Sequence, residues 1–141
     1  MTAIAYKNGR MAADTLCTMS NRKFHAVKIA KHDGHLLGAA GDLPSIVDLV
    51  RWYFLAPGKP TRPKFEGFDF DMMVVTPSGR IHVWDNRGTF EPISHKFWAV
   101  GSGGLACLGA MEHGASADQA VRAAIKWADG CGGRVTVRTL K

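Results

Sequence analysis

The amino terminus constrains this chain more than any other stretch. Residues Thr2 to Tyr6 alternate and are in part β-branched, and the strong hairpin signal Asn8-Gly9 follows them. The return run Met11-Ala12-Ala13 is small and apolar and ends at Asp14. The predicted first feature is therefore a hairpin with the terminus itself in a strand. Chain ends generally fray unless a sheet ties them down, so the fold has to hold its first residues in place.

Similar signals recur downstream. Phe24 to Ile29 and His35 to Ala40 read as a second hairpin, turning through Lys31-His32-Asp33-Gly34. Asp42-Leu43-Pro44 resembles an N-cap followed by a first-turn proline, and Leu43, Ile46, Val47, Val50, Tyr53 and Phe54 recur at helical spacing. This predicts an amphipathic helix over 43–55, stopped by Ala56-Pro57-Gly58, and a proline-rich loop over 57–67. Phe70 to Val75 and Arg80 to Trp84 read as strands joined at Pro77-Ser78-Gly79. A strand from Phe97 to Val100 leads into Gly101-Ser102-Gly103-Gly104 and helical composition from Leu105 to Met111, ended by Gly114. Ser116-Ala117-Asp118-Gln119 is a capping box for a further helix, whose buried stripe is Ala120, Val121, Ala124, Ile125 and Ala128. Gly130 to Gly133 breaks that helix, and Val135 and Val137 mark a last strand.

No repeat, low-complexity tract or linker interrupts this order, so 1–141 is expected to be one α+β domain. A sheet with helices on one face leaves its other apolar face bare; two sheets packed together between helix layers solve that economically. Three scattered cysteines, Cys17, Cys107 and Cys131, give no disulfide framework and fit a reducing compartment. With no apolar run of signal-peptide or membrane-spanning length, the chain is expected in the cytoplasm. The 18 basic residues exceed the 12 acidic ones but are dispersed, and no nucleic-acid recognition signature accompanies them; a solvated surface is the simpler reading.

Five segments stand out by their order and spacing: Thr2 to Gly9 with Met11-Ala12-Ala13-Asp14, Val27-Lys28-Ile29, Gly38-Ala39-Ala40-Gly41-Asp42, Ala99 to Gly104, and Gly130-Cys131-Gly132-Gly133. Together they resemble the superfamily of proteasome β-subunits and the bacterial HslV peptidase, above all its short members in phage and prophage genomes. The resemblance implies a four-layer αββα sandwich and an N-terminal nucleophile hydrolase. Met1 precedes a small residue, the context in which methionine aminopeptidase acts. Its removal would give Thr2 a hydroxyl nucleophile and a free α-amino group, whose reference pKa of about 7.7–8.0 suits a general base near neutrality. Lys28 matches the family's active-site lysine, Asp14 the carboxylate that orients it, Gly41 the glycine whose N–H helps form the oxyanion hole, and Ser102 the serine bonded to the terminal amine. The resemblance further implies peptide or unfolded-protein substrates, homo-oligomeric rings enclosing their sites, and no metal or organic cofactor. No docking motif for an unfoldase is evident.

Two positions depart from the family pattern. Ala3 stands where many relatives have a second threonine. Cys131 takes the hydroxyl position before Gly132-Gly133, but Asp129 lies two residues before it instead of three. One residue of slip at a helix end turns a side chain by about 100°, which leaves open whether Asp129 joins Cys131 at the site. Other chemistries fit these residues less well. The Gly101 to Gly104 run invites a phosphate-loop reading but lacks the lysine and spacing of one. His32 and His35 sit in one turn without a further ligand cluster, which reads as solvated side chains. A Cys131 nucleophile needs a histidine and an electropositive setting. Against the threonine-peptidase reading stands a catalytically silent, phage-derived assembly protein of the same fold.

Overall fold

In the computed structural model, which describes residues 1–41, 70–85, 87–91 and 96–141, the first hairpin forms as its sequence dictates. Strands β1 (Ile4–Lys7) and β2 (Arg10–Asp14) pair antiparallel, with Ile4 opposite Ala13 and Lys7 opposite Arg10. Asn8 (φ +52) and Gly9 (φ +77) make the turn, both on the side of the Ramachandran map that a two-residue hairpin of this twist requires. The ladder continues past the strand ends, because Asp14 N donates to Ala3 O at 3.1 Å. The terminus is thereby tied into a sheet.

That sheet has four antiparallel strands in the order β10 (Phe97–Val100), β1, β2, β11 (Val135–Thr139). A second antiparallel sheet contains β5 (Ile29–His32), β6 (His35–Gly41), β7 (Phe70–Val75), β8 (Ile81–Asp85) and β9 (Thr89–Phe90) in chain order. Side chains alternate across β1 and its neighbours, which splits the core in two. Ala3, Ala5, Ala12 and Ala99 face helices α1 (Gly104–Glu112) and α2 (Ala117–Trp127), where they meet Cys107, Met111, Val121 and Ala124. Ile4, Tyr6, Met11 and Val100 point the other way, onto Ile29, Leu36, Met73 and Val75. Alanines on one face bring the helices close, and larger residues on the other fill the gap between sheets. At Gly38 that gap closes: a Cβ there would stand 2.8 Å from Ile4 Cγ2 and 3.0 Å from Ile29 Cγ2.

The helical pair is fixed at its turn. Ser116 and Gln119 form the predicted capping box, with Ser116 Oγ accepting from Gln119 N and Gln119 Oε1 accepting from Ser116 N. Lys7 Nζ donates to Met111 O (2.9 Å) at the end of α1 and to Ala115 O (3.1 Å) in the turn beyond it, pinning both to β1.

One expected strand is corrected. Residues 24–29 do not form a continuous strand. Leu16–Met19 (β3) and Arg22–His25 (β4) instead make a separate two-stranded sheet around Ser20 and Asn21, both at positive φ. Residues 26–28 then carry the chain between sheets: Ala26 N donates to Thr15 O (2.9 Å), and Lys28 O accepts from Ala39 N (3.4 Å). Lys28 therefore sits on a connector, where its side chain is free of strand alternation. The short β9 gave no signal in the sequence. The helix expected over 43–55 and the loop over 57–67 lie outside the described residues. Leu37, Ala39, Met72 and Val74, on the face of the five-stranded sheet turned away from the four-stranded one, are nevertheless buried. No helix among the described residues is long and apolar enough to cross a membrane.

Candidate active site

The hairpin brings Thr2 and Asp14 side by side at one end of the four-stranded sheet. Asp14 is fully buried and its carboxylate is fully engaged: Oδ1 accepts from Ala3 N (3.0 Å) and Lys28 Nζ (2.9 Å), and Oδ2 from Gly132 N (3.0 Å). A buried charge persists only when paired and hydrogen-bonded, and here both conditions hold. The Lys28 side chain is 6% exposed. Its ammonium reaches Asp14 Oδ1, Leu16 O (2.6 Å), Met1 O (3.1 Å) and Thr2 Oγ1 (3.1 Å). An ammonium has three protons to donate, so these acceptors outnumber them.

The glycine run between β10 and α1 wraps Thr2 from the other side. Thr2 N donates to Ser102 Oγ (3.1 Å), and Thr2 O accepts from Gly103 N (2.9 Å). Gly101 (φ +91) allows this approach, since the Thr2 carbonyl lies where its Cβ would be. Gly103 lies against Ala3, Ala124 and Cys131, a Cβ there falling 2.9 Å from Cys131 Sγ. The phosphate-loop reading fails on the same bonds. The Gly103 amide is given to Thr2 O and the Gly104 amide to Gly101 O (2.9 Å), so neither is directed at an anion.

Cys131 is buried beside this cluster. Burial, and then the charge of Asp14, push its thiol above the usual cysteine range, against opposing pulls from a Ser102 hydrogen bond, Lys28 and the terminal charge. Burial and the neighbouring carboxylate thus work against the thiolate that a cysteine nucleophile needs.

The structure brings together Thr2, Asp14, Lys28, Ser102 and Cys131. It leaves Asp129 out. α2 ends at Trp127, Asp129 lies exposed in the turn that follows, and Gly130 (φ +76) redirects the chain so that Cys131 faces inward. No hydrogen bond or ion pair among the described residues joins Asp129 to the cluster. Gly41 is the exposed last residue of β6 (φ +139), two positions beyond Ala39, whose amide meets the Lys28 carbonyl. Among the described residues no group of three His, Cys, Asp or Glu side chains converges on a metal position. His32 and His35 instead flank the β5–β6 turn, where His32 Nε2 lies 3.3 Å from Asp33 Oδ2.

The Leu16 carbonyl and the Gly132 amide were invisible to sequence reasoning as site groups. Both are backbone atoms, and only the glycine pair at 132–133 hinted at close approach there.

No protein-family model matches this sequence, and no curated protein does. Solved structures do. BPH of Thiobacillus denitrificans is 24% identical, with a TM-score of 0.71 over 99% of this chain and 98% of that one, and it is known also in complex with epoxomicin. HslV of Trypanosoma brucei is 18% identical, with a TM-score of 0.72 over 97% of each chain. Anbu, an ancestral β-subunit from Yersinia bercovieri, is 11% identical, with a TM-score of 0.64 over 97% of this chain and 80% of that one. The chain therefore has an α+β, proteasome-like fold along nearly its whole length.

Proposed function

We propose that the chain is a threonine-type peptidase or amidohydrolase whose nucleophile is Thr2 after removal of Met1. One observation carries this reading: Lys28 Nζ, anchored on the buried Asp14, lies 3.1 Å from Thr2 Oγ1 while Thr2 N rests on Ser102 Oγ. In the processed chain the Thr2 amine takes the hydroxyl proton as Oγ1 attacks the scissile carbonyl. The Lys28 charge favours the developing alkoxide and the deprotonated amine. The tetrahedral oxyanion is assigned to the Gly41 N–H; loss of such a donor typically costs about 10²–10³ in rate. The proton then passes from the amine to the leaving nitrogen, the C–N bond breaks, and water hydrolyses the Thr2 ester by the same base in reverse. Every proton transfer in this sequence uses groups of the chain itself.

Removal of Met1 also resolves the crowding at Lys28. Without the Met1 carbonyl, the acceptors left are Asp14, Leu16 O and Thr2 Oγ1, one for each ammonium proton. The full reading is a single domain over 1–141 in four αββα layers, the fourth supported by burial of Leu37, Ala39, Met72 and Val74. It is a cytoplasmic protein in homo-oligomeric rings, acting on peptides or unfolded proteins. A second reading, a silent phage-derived assembly protein, is favoured by the outward Asp129.

Intact mass spectrometry with a peptide epoxyketone or with epoxomicin separates the two. The peptidase reading expects a chain beginning at Thr2 that gains one adduct, with none on Thr2→Ala. A Met1-free chain that stays unlabelled favours the silent scaffold, and an adduct persisting on Thr2→Ala refutes the nucleophile.

A further inference from the structure

Beside the Thr2 cluster lies a second knot of hydrogen bonds, centred on Thr15. Thr15 Oγ1 accepts from Arg134 N (2.9 Å) and meets His25 Nδ1 at 3.1 Å. With the Arg134 amide already donating to it, the hydroxyl has its own proton left for the ring nitrogen. Thr15 N donates to Gly132 O (3.2 Å), and Thr15 O accepts from Ala26 N (2.9 Å). Every polar group of this residue, 7% exposed, is in use. Gly133 (φ +78) makes room: Thr15 Oγ1 lies where its Cβ would be, and His25 Nδ1 would be 2.8 Å from that Cβ.

Three segments meet at this point. Residues 14–16 carry Asp14 and the Leu16 carbonyl, two of the acceptors of Lys28. Residues 25–28 end on Lys28 itself. Residues 132–134 hold the other carboxylate oxygen of Asp14 through Gly132 N. Lys28 lies outside any strand, and its own carbonyl is held only at 3.4 Å. Its nearest firm upstream anchors are the two contacts that His25 and Ala26 make with Thr15.

We infer that Thr15 and His25 are positioning residues, which lock the stem of Lys28 and its acceptors into one body and so set the ammonium's distance from Thr2. Neither touches Thr2. The inference rests on the peptidase reading for its consequence in rate, but the coupling of the three segments is independent of that reading. A misplacement of about 1 Å in a catalytic group can cost on the order of 10² in rate, so removing the knot is felt at the chemical step.

The test uses Thr15→Val, which keeps the β-branch and removes the hydroxyl, Thr15→Ser, which restores it, and the exposed His25→Leu. Epoxyketone adduct formation is followed against probe concentration, with circular dichroism as the check on folding. Thr15→Val is expected to lower the saturating rate about tenfold and His25→Leu a few-fold, with the half-saturating concentration unchanged. Thr15→Ser is expected to return to within about twofold of the wild type. Hydrogen exchange provides the arm that needs no activity: the amides of Ala3 and Gly132, both bonded to Asp14, should exchange about tenfold faster in Thr15→Val, while those of β7 stay unchanged. A wild type that takes no adduct sinks the peptidase reading and leaves hydrogen exchange to decide the coupling. Unchanged exchange, or a labelled wild type matched by Thr15→Val, overturns the inference. A purely structural role would lower stability and leave the saturating rate of Thr15→Val unchanged, with nothing for serine to restore.

Discussion

Substituting Lys28 by methionine tests the electrostatics of the site through stability alone. Methionine keeps most of the stem's volume and deletes the charge, leaving the Asp14 carboxylate with Ala3 N and Gly132 N but no cation. The side chains of the pair are 6% and 0% exposed and 2.9 Å apart, so solvent cannot take over the lost interaction. Breaking one partner out of a buried pair typically costs about 3–5 kcal/mol. With a urea slope of about 1.5 kcal/mol per molar, the unfolding midpoint should fall by about 2–3 M. Asp14→Asn strands the ammonium instead and should cost a similar amount. Joined in one chain, the two changes remove both charges and leave mainly the cost of an imperfectly bonded amide, about 1–3 kcal/mol. The double variant should then be at least as stable as either single one, with a coupling energy of about 3 kcal/mol or more. Equilibrium urea unfolding of the four chains at pH 7 measures this cycle. Single losses below about 1 kcal/mol, the size of an exposed ion pair, would refute the reasoning, and so would losses that simply add.

Four further outcomes follow from the packing, the thiols and the terminus. Gly38→Ala places a methyl 2.8 Å from Ile4 Cγ2, so it should destabilise the inter-sheet core by about 1–3 kcal/mol, read as a lower urea midpoint. Burial pushes Cys107 from 9.0 to about 12, so the half-buried Cys17 should be alkylated first at pH 8, as peptide mass mapping will show. Since the unfolded thiol loses its proton first, the stability this burial supports is complete below pH 9.0 and should decline from there towards about 12. Finally, folded chain retaining Met1 should resist methionine aminopeptidase while refolding chain is trimmed, because Thr2 is 8% and Ala3 0% exposed and the Met1–Thr2 peptide is held at both its carbonyl and its N–H; intact mass over time reads the difference.

What was legible in the sequence was whatever rests on local rules. Asn8-Gly9 fixed the first turn and its register, and the Ser116 capping box fixed the start of α2, because each depends on a few adjacent residues. The clustering of Thr2, Asp14, Lys28, Ser102 and Cys131 was legible only through the family resemblance, since nothing in composition or spacing brings residue 102 to residue 2. The β3–β4 hairpin was missed because Ser20-Asn21 is a weaker turn signal than Asn-Gly and Phe24 to Ile29 has a continuous strand-like pattern. That error concealed the connector, and with it the tertiary contacts of Thr15 and His25. Asp129, whose place the sequence left open, points outward for a geometric reason: helix α2 ends before it, and Gly130 redirects the chain after it.

The same geometry explains why one residue at the terminus decides what the site can do. With Met1 in place, the nitrogen on Ser102 belongs to an amide, which has no basic lone pair, and Lys28 divides its protons among too many acceptors. Loss of Met1 converts that nitrogen to an amine without moving the strand that carries it, since Ala3 N on Asp14 and Gly103 N on Thr2 O anchor the chain just beyond the bond that is cut. The scaffold is thus indifferent to Met1 while the proposed chemistry depends on it. Stability and activity should therefore part company between the two forms: nearly equal urea midpoints, and adduct formation in the Thr2-initiated chain alone.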